Sequence, residues 1–331
     1  MQQGMLSSVL LSASLLIGVP VVSATEMAPA KVEHLLEDEQ IHHKVAELLQ
    51  YVVEDNTDSL NFALERLSLP QQEVVRFLLL SKFEQQDIIL TPKMALFVES
   101  QKSMVPTYQI LEKGDGYEFS VPAFNYPAIA SRLLKRWQQD QSTLDFVLKA
   151  ERGELNLKQW LSGSDYMVQM RESLLIRELD SLSPKALDYL STQLTGEAVT
   201  SWLPSSAVMV RLAQVSEDSD VYKLLWLMRA DFNSYQELSR LAKVADAFSI
   251  EQLMLATQNP SLKEQALQEL TRIKPLNDDI KTFLVDKMKQ RDDASIVANA
   301  LARQGYQSWL RELALDNNKI RTNAITNALA Q

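Results

Sequence analysis

Three histidines and no cysteine bound the metal and redox chemistry open to this 331-residue chain. His34, His42 and His43 fall in one stretch of helical periodicity, and His34, Asp38 and His42 are spaced four apart. On a continuous helix that spacing lines the three up along one face. With Glu37 or Glu39 beside them, the imidazoles are a donor set suited to zinc or copper. Positions i, i+4 and i+8 nevertheless spread over about 12 Å, too far for one ion to touch all three. A site on His34 and His42 therefore needs ligands from a second chain, and the competing expectation is a solvated polar face. Without cysteine, disulfides, thiolate nucleophiles, zinc–thiolate centres and lipid attachment through cysteine are excluded.

Hydrolytic chemistry has little to work with. No G-x-S-x-G is present, Leu161-Ser162-Gly163-Ser164 does not fit it, and no serine stands three residues before a lysine. Gly114-Asp115-Gly116 lacks the following Lys-Ser/Thr helix of a phosphate loop. Glu172-Ser173 resembles the catalytic Glu-Ser dipeptide of lytic transglycosylases, which are also helical proteins. Here it runs into Leu174-Leu175-Ile176-Arg177 on an amphipathic helix, and that family's downstream glycine-rich and Gln/Tyr motifs are missing. Glu172 is accordingly expected to be a solvated helix residue. No catalytic residue is assigned and no cofactor is expected.

The elements that would position any site are helices. Hydrophobic residues make up 46% of the chain, whereas glycine occurs only 8 times, too few for a turn-dense sandwich or barrel. The net charge of −10 and the lack of a Lys/Arg cluster argue against a nucleic-acid partner and against an anionic membrane surface. Residues 1–24 have the apolar run and the Val22-Ser23-Ala24 ending of a secretory signal peptide, without a basic start. The alternative is an uncleaved anchor. Both place the remainder outside the cytoplasm, periplasmic or secreted, with no membrane span after cleavage.

After a linker at 25–30, periodicity predicts a helix over 31–54 and others at 59–67, 69–83 and 92–101. From 104 the pattern changes. Tyr108 and Ile110, then Tyr117, Phe119 and Val121, alternate about Gly114-Asp115-Gly116, which predicts a β-hairpin at 107–122. A lone hairpin is marginal in water and must lean on helices or on a partner. Tyr108, Ile110, Tyr117 and Phe119 are therefore the candidate partner-binding residues. Helical punctuation returns from 126 and recurs every dozen to eighteen residues, with separate helices expected at 127–139 and 142–150 and a long one at 166–182. The five tryptophans are spread along the chain and are expected mostly in packing between helices.

Three segments share an apolar–polar–Ala-Leu/Ile pattern, beginning at Leu262, Ile296 and Ile320. Each puts an apolar stripe beside a small residue where a second helix can approach, and such a unit must stack on a neighbour. The run Asn259-Pro260-Ser261-Leu262-Lys263-Glu264-Gln265-Ala266-Leu267 resembles the second half of a HEAT-type repeat, with its Asn-Pro turn, charged residue and Ala-Leu. The resemblance covers about 204–331 and implies a superhelix with a concave binding face and no reaction. The segments begin 34 and then 24 residues apart, so the repeats are irregular.

The expected architecture is all-α, an irregular antiparallel helix-pair array of α-solenoid type with one inserted hairpin. Its parts are a signal segment at 1–24, helices at 25–103, the hairpin region at 104–125, helices at 126–203 and HEAT-like repeats at 204–331. The expected function is a scaffold or adaptor for a protein or peptide partner in the cell envelope. The alternative is an envelope enzyme acting on peptidoglycan through carboxylates, marked by a cleft holding a desolvated acid.

Overall fold

The computed structural model describes residues 25–114, 116–196, 202–316 and 320–330. The signal segment at 1–24 and Asp115 of the hairpin turn lie outside them. The fold is all-α with one small sheet among the helices. Chain contacts divide it into two units at Gln141/Ser142, within the helix Tyr126–Glu151.

The first unit opens with strand β1 (Thr25–Glu26), then α1 (Pro29–Glu37), α2 (Glu39–Val53), α3 (Thr57–Glu65), α4 (Leu69–Gln85) and α5 (Pro92–Lys102). Proline sits in the first turn of α1, α4 and α5, where its missing N–H costs nothing. Thr91 Oγ1 caps α5 by accepting from Met94 N at 3.1 Å. Leu48, Leu60, Val75, Leu79 and Phe83 are wholly buried where α2, α3 and α4 meet.

The hairpin is present as β2 (Tyr108–Gly114) and β3 (Tyr117–Pro122), antiparallel, with Ile110 opposite Val121 and Gly114 opposite Tyr117. Gly116 closes it at φ +89°, a conformation that costs an L side chain. β1 pairs with β2 in parallel, Thr25 facing Tyr108, and adds a third strand the sequence pattern did not show. Two residues carry no periodicity to detect. Backbone bonds from Thr25 N to Thr107 O (2.8 Å) and Met27 N to Gln109 O (2.7 Å) hold it.

Two helices are divided differently from expectation, and the one predicted over 166–182 ends as α-helix at Glu178 and finishes in a 3₁₀ turn. The helix predicted over 31–54 is broken at Asp38, whose backbone is extended (φ −64°, ψ 116°) and whose carboxylate accepts from Gln40 N at 2.8 Å. A short acid that can bond its own following backbone competes with helix continuation and wins here. Conversely, 127–139 and 142–150 belong to one helix, α6 (Tyr126–Glu151). The polar run Asp140-Gln141-Ser142 contains neither glycine nor proline, and polarity alone does not stop a helix.

The second unit continues through α7 (Leu157–Trp160), α8 (Asp165–Glu178), a 3₁₀ turn at Leu179–Ser181, α9 (Pro184–Thr195), α10 (Ser206–Ser216), α11 (Ser219–Leu227) and α12 (Phe232–Val244). It ends with α13 (Ala247–Ala256), α14 (Lys263–Arg272), α15 (Asp278–Lys289), α16 (Ala294–Arg303), α17 (Gln307–Asp316) and α18 (Thr322–Leu329). Helices two apart in order pack side by side: α8, α10, α12, α14, α16 and α18 form one row, and α9, α11 and α13 form part of another. The rows pack on each other through consecutive pairs such as α10 with α11 and α12 with α13. The three Ala-Leu/Ile segments fall in α14, α16 and α18, adjacent members of one row. Ala266, Leu267, Ala300, Leu301 and Ile325 are all buried there. Asn259, of the Asn-Pro turn, donates from its side chain to Trp226 O (2.8 Å) and Met228 O (3.2 Å), tying the start of α14 to the end of α11.

Candidate functional site

The even-numbered helices of the second unit carry the site. Two grooves open on this row. One of 670 Å³ is lined only by α8, α10, α12 and α14, and includes Val210, Arg211, Gln214, Phe232, Gln236, Arg240, Lys243 and Gln265. One of 210 Å³ is lined by α14 and α16 and the residue after it, and includes Gln268, Arg272, Asn299, Arg303 and Gln304. Both linings carry arginines and amides; the larger is mostly apolar surface, from Ile176, Ala207, Val210, Phe232 and Tyr235, and the smaller also holds the Glu264 carboxylate.

The larger groove is floored by an ionised network. Glu237 is 1% exposed and all its acceptor positions are in use. Tyr222 donates to Oε1 at 2.6 Å and Gln214 to Oε2 at 2.6 Å. Arg240 bonds both oxygens, Nη2 to Oε1 at 2.7 Å and Nε to Oε2 at 2.9 Å. Burial, reinforced by its bond to Glu237, raises the Tyr222 hydroxyl above its ordinary value. The same carboxylate holds the Arg240 guanidinium more firmly protonated. Glu237 is thus a desolvated acid in a groove, the feature expected of a catalytic carboxyl, but its oxygens are committed to three side chains. It holds α10, α11 and α12 together and has no free lone pair for proton transfer.

The same device recurs one step along the row. Glu269 of α14 is 3% exposed and accepts from Ser239 of α12 and from Arg272, each at 2.8 Å. Gln236-Glu237-Leu238-Ser239-Arg240-Leu241 and Gln268-Glu269-Leu270-Thr271-Arg272-Ile273 are the same pattern, 32 residues apart (236 to 268). The match extends further. Leu175, Met209, Leu238, Leu270 and Leu301 are buried core residues, one each on α8, α10, α12, α14 and α16, and each is followed two positions later by arginine. Arg177, Arg211, Arg240, Arg272 and Arg303 thus occupy one register on five neighbouring helices, in steps of 34, 29, 32 and 31 residues. The Ala-Leu spacing did not lead to these residues. A large apolar residue followed at +2 by arginine is the signal the sequence carries, and it also marks Leu64, Val74 and Leu134 of the first unit, so it does not single out this row.

No protein-family model, curated protein or solved structure matches the chain.

The residues singled out from sequence separate into groups. Tyr108, Ile110, Tyr117 and Phe119 share one face of the hairpin by register. Tyr108 and Ile110 are half-buried against the first unit's core, whereas Tyr117 and Phe119 are 65% and 39% exposed, their rings 5.8 Å apart. Glu73 of α4 fixes the base, Oε1 accepting from Thr107 N at 2.5 Å and Oε2 from Tyr108 N at 3.3 Å. Burial, with the Glu73 charge, pushes the nearby Tyr126 hydroxyl up to about 12.

His34 and His42 stand on different helices, α1 and α2, because of the break at Asp38, so the single-helix alignment does not form. His42 donates from Nε2 to Leu36 O at 2.7 Å. Among the described residues no group of three or more His, Cys, Asp or Glu is placed to hold an ion. Glu172 is half-buried on α8 and accepts from Ser205 N at 3.4 Å, at the start of α10. Trp226 is buried and Trp137, Trp160, Trp202 and Trp309 are packed against the two cores. No helix among the described residues is long and apolar enough to cross a membrane.

Proposed function

We propose that the protein is an extracytoplasmic helical-repeat scaffold, HEAT-like in its second unit, that binds a protein or peptide partner without catalysis. The observation that carries this reading is the row α8–α10–α12–α14–α16, which bears both grooves on one set of helices. A stacked row presents side chains from successive helices as one extended surface, the arrangement suited to holding a chain rather than a small substrate. The full commitment of Glu237 to Tyr222, Gln214 and Arg240 supports a structural rather than a chemical use of the buried acid. Location outside the cytoplasm rests on the apolar segment at 1–24 and its small-residue ending. The exposed pair Tyr117 and Phe119 offers a second, smaller contact on the first unit.

Photo-crosslinking tests the surface directly. A benzophenone amino acid at Gln236 or Gln265 of the full chain is expected to give a discrete adduct in envelope extract, and one at Leu315 of α17 is not. Equal labelling from all three positions, or release of muropeptides from purified peptidoglycan, removes this reading.

A further inference from the structure

We infer that the groove row takes an extended acidic peptide, with carboxylates spaced about three residues apart, that crosses the helices and meets one arginine on each. The inference rests on the scaffold reading of this row and specifies its ligand.

Neighbouring helices in a layer stand about 8–10 Å apart. An extended strand rises about 3.3 Å per residue, so it advances roughly three residues for each helix it crosses. The register Arg211, Arg240, Arg272 and Arg303 supplies one guanidinium per helix along that path, all four lining the grooves. Three of them are already held: Arg240 and Arg272 by buried carboxylates, which orients them, and Arg211 by the exposed Asp180 carboxylate together with Gln214 and Ile176 O, so that a ligand carboxylate must take the place of Asp180 there. Among the described residues, Arg240 Nη1 and Arg272 Nε and Nη2 have no partner. A preoriented guanidinium with free N–H groups is suited to a carboxylate. Lys243, exposed on α12, adds a further charge.

Gln236 and Asn299 line the grooves with the arginines, as do Gln265 and Gln268, whose amides donate to Tyr235 O and Glu264 and keep their carbonyl oxygens as acceptors. A side-chain amide both donates and accepts, which matches the alternating N–H and C=O of a peptide backbone. The charge balance also favours a peptide over a nucleic acid. Arg211, Arg240, Lys243 and Glu237 line the larger groove and Arg272, Arg303 and Glu264 the smaller, a modest excess of cations in each within a chain of net charge −10. A phosphate on every residue of the ligand would need far denser compensation.

The test is selection from a random dodecapeptide phage library on the full-length protein, repeated on the triple variant Arg211→Gln, Lys243→Gln, Arg303→Gln. These substitutions spare the arginines bonded to Glu237 and Glu269, and circular dichroism checks that the variant is folded. The expected pool is enriched in Asp and Glu with a recurrence near three residues. A synthetic peptide from it should bind at least tenfold more weakly to the triple variant and after its own Glu→Gln exchange. No enriched pool, a pool without acidic residues, or equal binding to the triple variant overturns the inference. So does displacement of the peptide by single-stranded DNA at equal charge concentration, which would identify a general polyanion surface. Crosslinks from Gln236 or Gln265 alongside any of these failures would leave the scaffold reading standing and remove only the acidic peptide.

Discussion

Arg240 forks onto Glu237 one turn earlier in the same helix, engaging both carboxylate oxygens, and the Glu237 side chain has no exposed surface while Arg240 keeps 39% of its own. The pair is asymmetric. One charge is sealed between α10, α11 and α12, and its partner bridges from there to the groove. Removing the arginine strands a buried carboxylate, which costs more than the pair's net worth. Arg240→Ala is therefore expected to lose about 3 kcal/mol in urea denaturation followed by circular dichroism. Glu237→Gln, which keeps an acceptor for Tyr222, should lose less. If Arg240→Ala melts like the parent, the carboxylate has another partner and the network described is not what stabilises this part of the row.

Tyr126 and Tyr222 set an alkaline limit. Both hydroxyls are held neutral chiefly by burial, Tyr126 with its value raised from 10.0 to about 12 and Tyr222 raised in the same direction. The folded state keeps these protons more tightly than the unfolded one. Their contribution to stability is thus complete below pH 10 and is lost as pH rises through the folded value. Tyr126→Phe should flatten the fall in stability between pH 10 and 12, measured as the urea midpoint at each pH. A parent-like slope in that variant would mean the loss comes from other groups.

The hairpin separates packing from recognition within one face. Tyr108 and Ile110 lean on the core, while Tyr117 and Phe119 extend past it. Ile110→Ser is expected to cost about 1–2 kcal/mol through lost apolar burial. Tyr117→Ser and Phe119→Ser should stay within about 0.5 kcal/mol of the parent, as exposed substitutions do. Equal destabilisation at base and tip would show that the tip rings are covered by the protein itself, and would withdraw them as a contact surface.

The sequence made the helices and the hairpin legible because their signals are local. Thr91, Ser183 and Ser205 stand just before α5, α9 and α10 and cap them by accepting from Met94 N, Ala186 N and Val208 N, and such caps, like the alternation about Gly116, are read within a few residues. Asp38 and the 140–142 run misled because one polar residue can cap, break or sit on a helix, and tertiary packing decides which. The recurrence in α14, α16 and α18 was visible through Ala266, Ala300 and Ala324. The arginine register was missed because its period drifts from 29 to 34 residues and its meaning depends on which helices are neighbours. The Glu237 network was illegible for the same reason, since Gln214, Tyr222 and Arg240 meet it from three helices.

Stacking itself is tested at Leu267. It lies on α14 between α12 and α16 and is wholly buried, with Ala266 beside it letting the neighbouring backbones approach. Leu267→Asp places an unpaired carboxylate in that interface, at an expected cost of about 4 kcal/mol or more, enough to unfold a marginal array. Leu315→Asp is the control, because Leu315 on α17 is 83% exposed and its exchange should cost under about 0.5 kcal/mol. In a row where each helix shelters its neighbour's apolar stripe, the damage at Leu267 should spread to α12 and α16. Hydrogen exchange would show this as lost protection in both helices as well as in α14. Loss confined to α14, or parent-like melting of Leu267→Asp, would mean these helices are independently stable, and a surface shared across them would lose its mechanical basis.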